Sequence, residues 1–384
     1  MGMVEFSFRE EVLRTFQGEN RFIVWQPRIE HWYNVNRVRG TLPPEYARKS
    51  LLEIYRHLGA SVRYYYGEGG DISSPKTYIV FEYEKGRAVK EVREGDVIHV
   101  YFSSPLGELY GKKGLGEWGC SWHYLEHPVK KVEDLDILED IVTHTHYHFD
   151  TDFYEKACNA LGELGTIQFY WERSPFQRLF LQYAGIDNTI ALMYEYPGRL
   201  REYLKRAEEA EDELFEVLAR CPVKILNFGE NIDGRFDSPR IYEEYLLPYY
   251  RKRVKALHQA GKFCHIHMDG ALKPLLPFLQ DAGFDGIEGA TPLPQGDVTL
   301  EELKEAMGNL VLLDGIPMLF FLPEYPVEEL LEYTEKVLHL FAPRLILGIS
   351  DEISPPGDIE RVKMVTDLVK DWNQSHRGGE NGLL

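Results

Sequence analysis

The stretch Lys262-Phe263-Cys264-His265-Ile266-His267-Met268-Asp269-Gly270 spaces two imidazoles and a carboxylate two residues apart. It follows a helix stop, Ala260-Gly261, and leads into a further helix, so it reads as a strand. Strand side chains alternate between faces. Phe263, His265, His267 and Asp269 therefore share one face, and Cys264, Ile266 and Met268 share the other. Two neutral imidazoles pointing the same way near a strand's C-terminal end can act as a metal-ligand pair. The competing reading has one histidine hydrogen-bonded in the interior and the other at a pocket rim. With a carboxylate as third ligand, the pair suits Zn²⁺ with an open coordination position, and equally a non-haem Fe(II) triad. Zinc would act as a Lewis acid on a substrate oxygen or sulfur. Glu230, one strand earlier, is the candidate third ligand or general acid.

Other strand ends carry further candidates. They are Gln26 and Arg28, Trp171 and Glu172, Glu230 and Asp233, Glu288, Asp314, and Asp351 with Glu352. This is an acidic ring with two histidines and one well-placed arginine. Arg28 is expected to bind a substrate carboxylate as a bidentate partner. Gln26, Trp32, Tyr33, Trp171 and Asp314 are expected to line the substrate pocket, and Asp351 to join the metal or act in catalysis. Asp237 and Asp269 suit the plainer role of capping the helices that follow. His144, His146 and His148, in Thr-His-Thr-His-Tyr-His-Phe-Asp150, directly follow a helix and read as a solvated loop or helix end.

These ends need a scaffold. Strands are predicted at 22–26, 61–66, 166–171, 223–228, 263–268, 284–288, 310–314 and 345–349, with helices between them. Eight parallel-type strands with helical crossovers predict an α/β fold, a (β/α)₈ TIM barrel, whose chemistry sits at the C-terminal strand ends. A doubly wound sheet is the alternative, but no glycine-rich phosphate fingerprint follows the first strand. Thr41-Leu-Pro-Pro-Glu45 predicts a helix running to about Leu58. Residues 78–83, 88–93 and 96–102 alternate and read as an antiparallel meander. Residues 103–126 read as loop. The chain is read as a single domain over 1–384, with a β-rich insertion at about 70–130 over the barrel mouth and a flexible tail at 374–384.

Composition limits the partners. A chain of 384 residues with 44% hydrophobic and 27% charged residues is that of a globular protein with a sizeable core. A formal net charge of -19 argues against nucleic acid and against anionic membranes. No run approaches the roughly 18 apolar residues of a membrane span, and Met1 to Arg9 holds no signal-peptide core. Cys120, Cys158, Cys221 and Cys264 form no CxxC pair, so neither a disulfide framework nor a zinc ribbon is indicated. A cytoplasmic enzyme is expected. Exposed aromatics in the insertion suit a homodimer interface as readily as a lid.

Glu126-His-Pro-Val-Lys130, followed by Val132-Glu-Asp-Leu135, resembles the "YPVK…eDL" segment of the uroporphyrinogen decarboxylase-like superfamily, which also holds the cobamide-dependent methyltransferases. Ser104-Pro-Leu-Gly107 is similar to its preceding "TPLG" turn, and Leu345-Ile-Leu-Gly348 with the acidic, proline-bearing loop after it fits the family's last strand. The likeness spans roughly residues 20–370, and the order of its short motifs makes it specific. The resemblance implies that His265 matches the histidine of the methyltransferases' His-x-Cys zinc motif. His267 then replaces the first cysteine, and Asp351 or Glu352 stands where the second would lie. Harder ligands than thiolate suit an oxygen ligand better than a thiol. The decarboxylase branch has no metal and holds substrate carboxylates with an arginine-rich N-terminal segment, of which Gln26-Pro-Arg28 is a partial echo.

The resemblance thus implies a metal-dependent methyltransferase, with zinc or another divalent metal, that moves a methyl group from a small methylated substrate to a corrinoid held on a separate protein. The alternative is a metal-independent decarboxylase of a small or aromatic carboxylic acid. A barrel that only binds a ligand is the third reading.

Overall fold

The computed structural model describes residues 7–67, 77–116, 119 and 121–376. The chain enters through the helix Phe8–Gln17 and strand β1 (Val24–Gln26). An antiparallel excursion follows: β2 (Ile79–Tyr83), β3 (Ala88–Glu94), β4 (Val97–Ser104), β5 (Gly107–Leu115), β6 (Trp122–Glu126) and β7 (Thr145–Phe149). The chain then returns with β8 (Gln168–Tyr170), β9 (Ile225–Ile232), β10 (Phe263–Met268), β11 (Gly286–Glu288), β12 (Val311–Pro317) and β13 (Leu345–Ser350).

One curled parallel sheet holds seven of these in the order β1-β13-β12-β11-β10-β9-β8. Its two edges face residues 61–66. The Ser61 amide donates to the Trp25 carbonyl at 2.8 Å, and Tyr64 bridges to Gln168 in parallel. This arrangement fits a (β/α)₈ barrel, and the eight predicted strand positions are the eight segments used. Strands β12 and β13 are buried at every position. Helices cover their outer faces, which is why they read as nearly continuous apolar runs. The sheet's N-terminal end is closed by the helix Phe8–Gln17, whose Phe16 ring lies 5.6 Å from Phe263 and 6.0 Å from His265.

Some boundaries differ from expectation. Thr41 falls between two helices, Glu30–Arg39 and Leu51–Leu58, so the helix expected from Thr41 starts only at Leu51. Gly40 stops the first in the left-handed conformation, and Ser50 with Glu53 opens the second through a reciprocal capping box. Within the stretch expected as loop, Gly107–Leu115 and Trp122–Glu126 are strands β5 and β6 of a four-stranded antiparallel sheet. The glycines there permit close approach: a Cβ on Gly114 would lie 2.8 Å from Leu125 Cδ1. The histidine-rich segment is strand β7, paired antiparallel with β2. Thr145 and Tyr147 face inward and are buried while His146 and His148 face out, a period of two that the histidines masked. The excursion therefore reaches Phe149, beyond the expected limit of about 130. Residues 374–376 complete the helix Ile359–His376, and the remainder of the expected tail lies outside the described residues. No described helix is long and apolar enough to cross a membrane.

Candidate active site

Parallel register decides which side chains meet. His267 pairs with Glu288 across β10 and β11, and His265 pairs with Asn227 across β10 and β9. Glu288 is the centre of the resulting cluster. Its Oε1 lies 3.1 Å from both Arg28 Nη1 and Arg63 Nη1. Its Oε2 accepts from the Tyr64 hydroxyl and from Asn227 Nδ2, each at 2.6 Å. Arg63 Nη1 also reaches Asp314 Oδ1 at 2.7 Å, while its Nε donates to Gln26 Oε1 at 3.0 Å. The Asp314 Oδ2 accepts the Gly289 amide at 3.0 Å. Glu288, Arg63 and Asp314 are fully buried. Charges so deep persist only when paired.

The fields of these groups divide the two histidines. Burial pushes His265 down to about 3, aided by the Arg63 charge, so it is neutral. Burial also opposes charge on His267, but the Glu288 carboxylate 3.8 Å away and the charge of Asp351 raise it to about 9, so it is an imidazolium at neutral pH. Burial alone would raise the Glu288 carboxyl, yet His267, Arg28 and Arg63 hold it well below the carboxylate range. Burial pushes Asp314 up to about 6 against the pull of Arg63, and Glu352 up to about 8 against the pull of Arg28.

Above the cluster opens a cavity of about 400 Å³, the size of a small-molecule site. Arg28, His267, Glu288, Asp351 and Glu352 form its floor and one wall. Tyr170 and Trp171 at the end of β8, with Ile79 and Phe81 of β2, form an apolar wall. Arg28, Asn231 and Asp314 are the non-glycine residues with positive φ among the described residues, at 46°, 55° and 97°. Each such backbone costs on the order of 1–3 kcal/mol and is concentrated at functional sites.

The structure brings together some of the expected residues and disperses others. Arg28, Trp171, His267 and Asp351 line the cavity. Gln26, His265 and Asp314 lie beneath it in the buried interior. Trp32 and Tyr33 are in the helix Glu30–Arg39 and pack in the hydrophobic core, with Trp32 edge-on to Tyr46 at 6.1 Å. They miss the pocket because the chain turns helical straight after Arg28. The Glu230 carboxylate is taken by Ser174, through its amide at 2.8 Å and its hydroxyl at 2.7 Å. That contact anchors the loop after β8, away from His267.

The ligand set expected for a metal is therefore not gathered. His265 Nε2 contacts Gln168 Oε1 at 3.1 Å, and Asp351 is paired with Arg28. His265 Nδ1 and His267 Nδ1 do approach one oxygen, Glu288 Oε2, at 3.5 and 3.8 Å. That carboxylate already takes two guanidiniums, a phenol and an amide, and a dication beside Arg28 and Arg63 would meet their full repulsion. These residues do not fit a bound metal ion. His258, Cys264 and Asp285 form the group of three metal-type donors found among the described residues, on the outer side of the sheet. There Asp285 Oδ2 is held by His258 at 2.8 Å and by the Cys264 amide at 2.7 Å. His146 and His148 face solvent, where His146 pairs with Glu84 and Glu213 and His148 with Glu82.

Sequence reasoning passed over Arg63, Tyr64, Asn227 and Arg173, and placed Glu288 only in the acidic ring. An arginine inside the otherwise apolar-aromatic run Ser61-Val-Arg-Tyr-Tyr-Tyr66 was the available signal, since a buried arginine requires an acid.

The sequence pattern of the uroporphyrinogen decarboxylase (URO-D) family matches residues 124–372. No curated protein matches the chain. Among solved structures, a methyltransferase from Methanosarcina mazei superposes with a TM-score of 0.61 at 16% identity, over 96% of this chain and 99% of that one. That likeness is one of fold. A B12-independent methionine synthase from Shewanella sp. W3-18-1 reaches a TM-score of 0.37 at 13% identity, over 78% of this chain and 77% of that one.

Proposed function

The chain belongs to the uroporphyrinogen decarboxylase family, and from that premise we propose that it is a methyltransferase. It takes a methyl group from the oxygen of a small methylated substrate and passes it to a corrinoid carried by a separate protein. The observation that carries this reading is His267, an imidazolium backed by Glu288 at the floor of a cavity of small-molecule size. The fold shared with the Methanosarcina methyltransferase supports the same reaction class.

An ether oxygen is a poor leaving group until it is protonated. As the carbon–oxygen bond breaks, the oxygen keeps the bonding pair and takes the proton of His267, and the product is an alcohol or phenol. The corrinoid, when docked, supplies the nucleophile that receives the methyl carbon. Glu288 holds the imidazolium in place, and Arg28 and Arg63 fix Glu288. In this reading the His267 proton performs the polarisation that the sequence reading gave to zinc or another divalent metal. Glu230, expected as ligand or general acid, acts instead by positioning Ser174.

The test is methyl transfer from a panel of methoxylated acids and ethers to reduced cobalamin, followed by the cobalamin absorbance change. Wild type should turn over at least one donor, and His267→Gln should lose about 10²–10⁴-fold in rate. No transfer across a broad panel would sink the reading.

A second reading is favoured by the dispersed metal ligands. The same proton donor could protonate carbon after a carboxylate leaves as CO₂, without metal or corrinoid. Release of CO₂ from a small or aromatic acid, indifferent to chelators and to cobalamin, would select it.

A further inference from the structure

Each cation at the floor of the cavity is already answered by an acid. Arg28 pairs with Glu288 and Asp351, Arg63 with Glu288 and Asp314, and His267 with Glu288. Arg173, which lines the same cavity beyond Trp171, differs. Its Nε donates to the Glu230 carbonyl at 3.3 Å, and its Nη2 donates to Asn231 Oδ1 at 2.6 Å. Both acceptors are neutral. The acid whose charge it feels most is Glu230, and both Glu230 oxygens are taken by Ser174. Among the described residues no carboxylate lies within ion-pair distance of Arg173, and its Nη1 has no partner.

A guanidinium tethered at two nitrogens is fixed in orientation, with its free donors set for a planar anion. Keeping it charged in a recess is unfavourable without a counter-charge, and burial does lower its proton affinity. Arg173 stands at the end of β8 and His267 near the end of β10, two strands away, or about 10 Å at normal strand spacing. Trp171 and Tyr170 lie on the Arg173 side, offering an apolar face to the body of a ligand.

We infer that the substrate is an organic carboxylate with an apolar body, and that Arg173, steadied by Asn231, anchors its carboxylate while the reacting group lies toward His267. This rests on the reading of the cavity as the substrate site. It replaces Arg28, the clamp expected from the sequence, because Arg28 is already neutralised from two sides.

The experiment is calorimetric binding to the full chain without cobalamin, so that it does not depend on turnover. The probes are 4-methoxybenzoate, methoxyacetate and the uncharged 4-methoxybenzamide. The benzoate should bind wild type about 10- to 100-fold more tightly than the amide, and Arg173→Gln should remove that preference. Arg173→Lys should recover only part of it, since one ammonium cannot replace the fork. Equal binding of benzoate and benzamide to wild type overturns the inference whether or not the variants fold. So does unchanged benzoate binding by a folded Arg173→Gln, or failure of both carboxylates to bind wild type. If carboxylate binding depends on Arg173 while no donor passes its methyl group to cobalamin, the anchor stands and the methyl-transfer reading falls.

Discussion

Asp351 Oδ1 lies 2.5 Å from Arg28 Nη1, so the exit of the last sheet strand is tied to the exit of the first. The same nitrogen reaches Glu288 at the end of β11. The two acids differ in setting. The Asp351 side chain is 44% exposed and Glu288 is 0% exposed. A half-exposed pair is screened by water and contributes little, whereas removal of one partner from a buried network leaves uncompensated charge.

Glu288→Gln should accordingly cost about 3–5 kcal/mol of unfolding free energy. Asp351→Asn should cost no more than about 1 kcal/mol. Urea unfolding followed by tryptophan fluorescence measures both. Equal midpoint shifts would mean that Glu288 is not the hub the contacts describe.

His267 gives the pH dependence its sign. Its proton affinity is raised from the ordinary 6.5 to about 9. The stability it contributes is fully present below 6.5 and is lost as pH rises through about 9. Its acid form is also the proton donor. The rate should therefore fall above about pH 9, and His267→Gln should abolish that limb while leaving the residual rate nearly flat. A wild-type rate that rises through this window would assign the opposite role, a general base, to His267.

Metal content distinguishes the two mechanisms the sequence permitted. The dispersed ligands predict that chelator treatment leaves turnover unchanged within about twofold, because no barrier-lowering step depends on a metal. Elemental analysis of wild type and His267→Ala checks this directly. About one zinc per wild-type chain, absent from the variant, would return His267 to the ligand role.

The scaffold was legible because its signals are local. Apolar runs bounded by glycine and proline marked all eight core segments, and Thr299 with Glu302 opens the helix Leu300–Met307 through a capping box, a signal equally local. The same logic failed at 103–126, where glycines that permit strand contact looked like loop breakers. At the site, the alternation in β10 put His265 and His267 on one face, and both approach Glu288 Oε2. Depth along the barrel axis was not legible. One step of two residues separates a histidine packed near Phe16 from one that floors the cavity. Register between distant strands was also hidden, so Glu288 could not be matched with Arg63, which is 225 residues away in sequence.

Gly289 shows how tightly His267 is seated. It has φ +77°, and a Cβ added there would lie 2.7 Å from His267 Cε1. Gly289→Ala should therefore displace the imidazole. A shift approaching 1 Å costs about 10²-fold in rate. The substitution also imposes a left-handed conformation on alanine, at roughly 1–2 kcal/mol. Gly261→Ala separates the two effects. Gly261 has φ +71° but nothing within 4 Å of an added Cβ, and it precedes β10 at the end of the barrel away from the cavity. Both variants should lose similar stability in urea. Turnover per folded molecule should fall only for Gly289→Ala, and the alkaline limb should shift with it. If both variants keep wild-type turnover, the position of His267 does not govern the rate, and its assignment as proton donor fails.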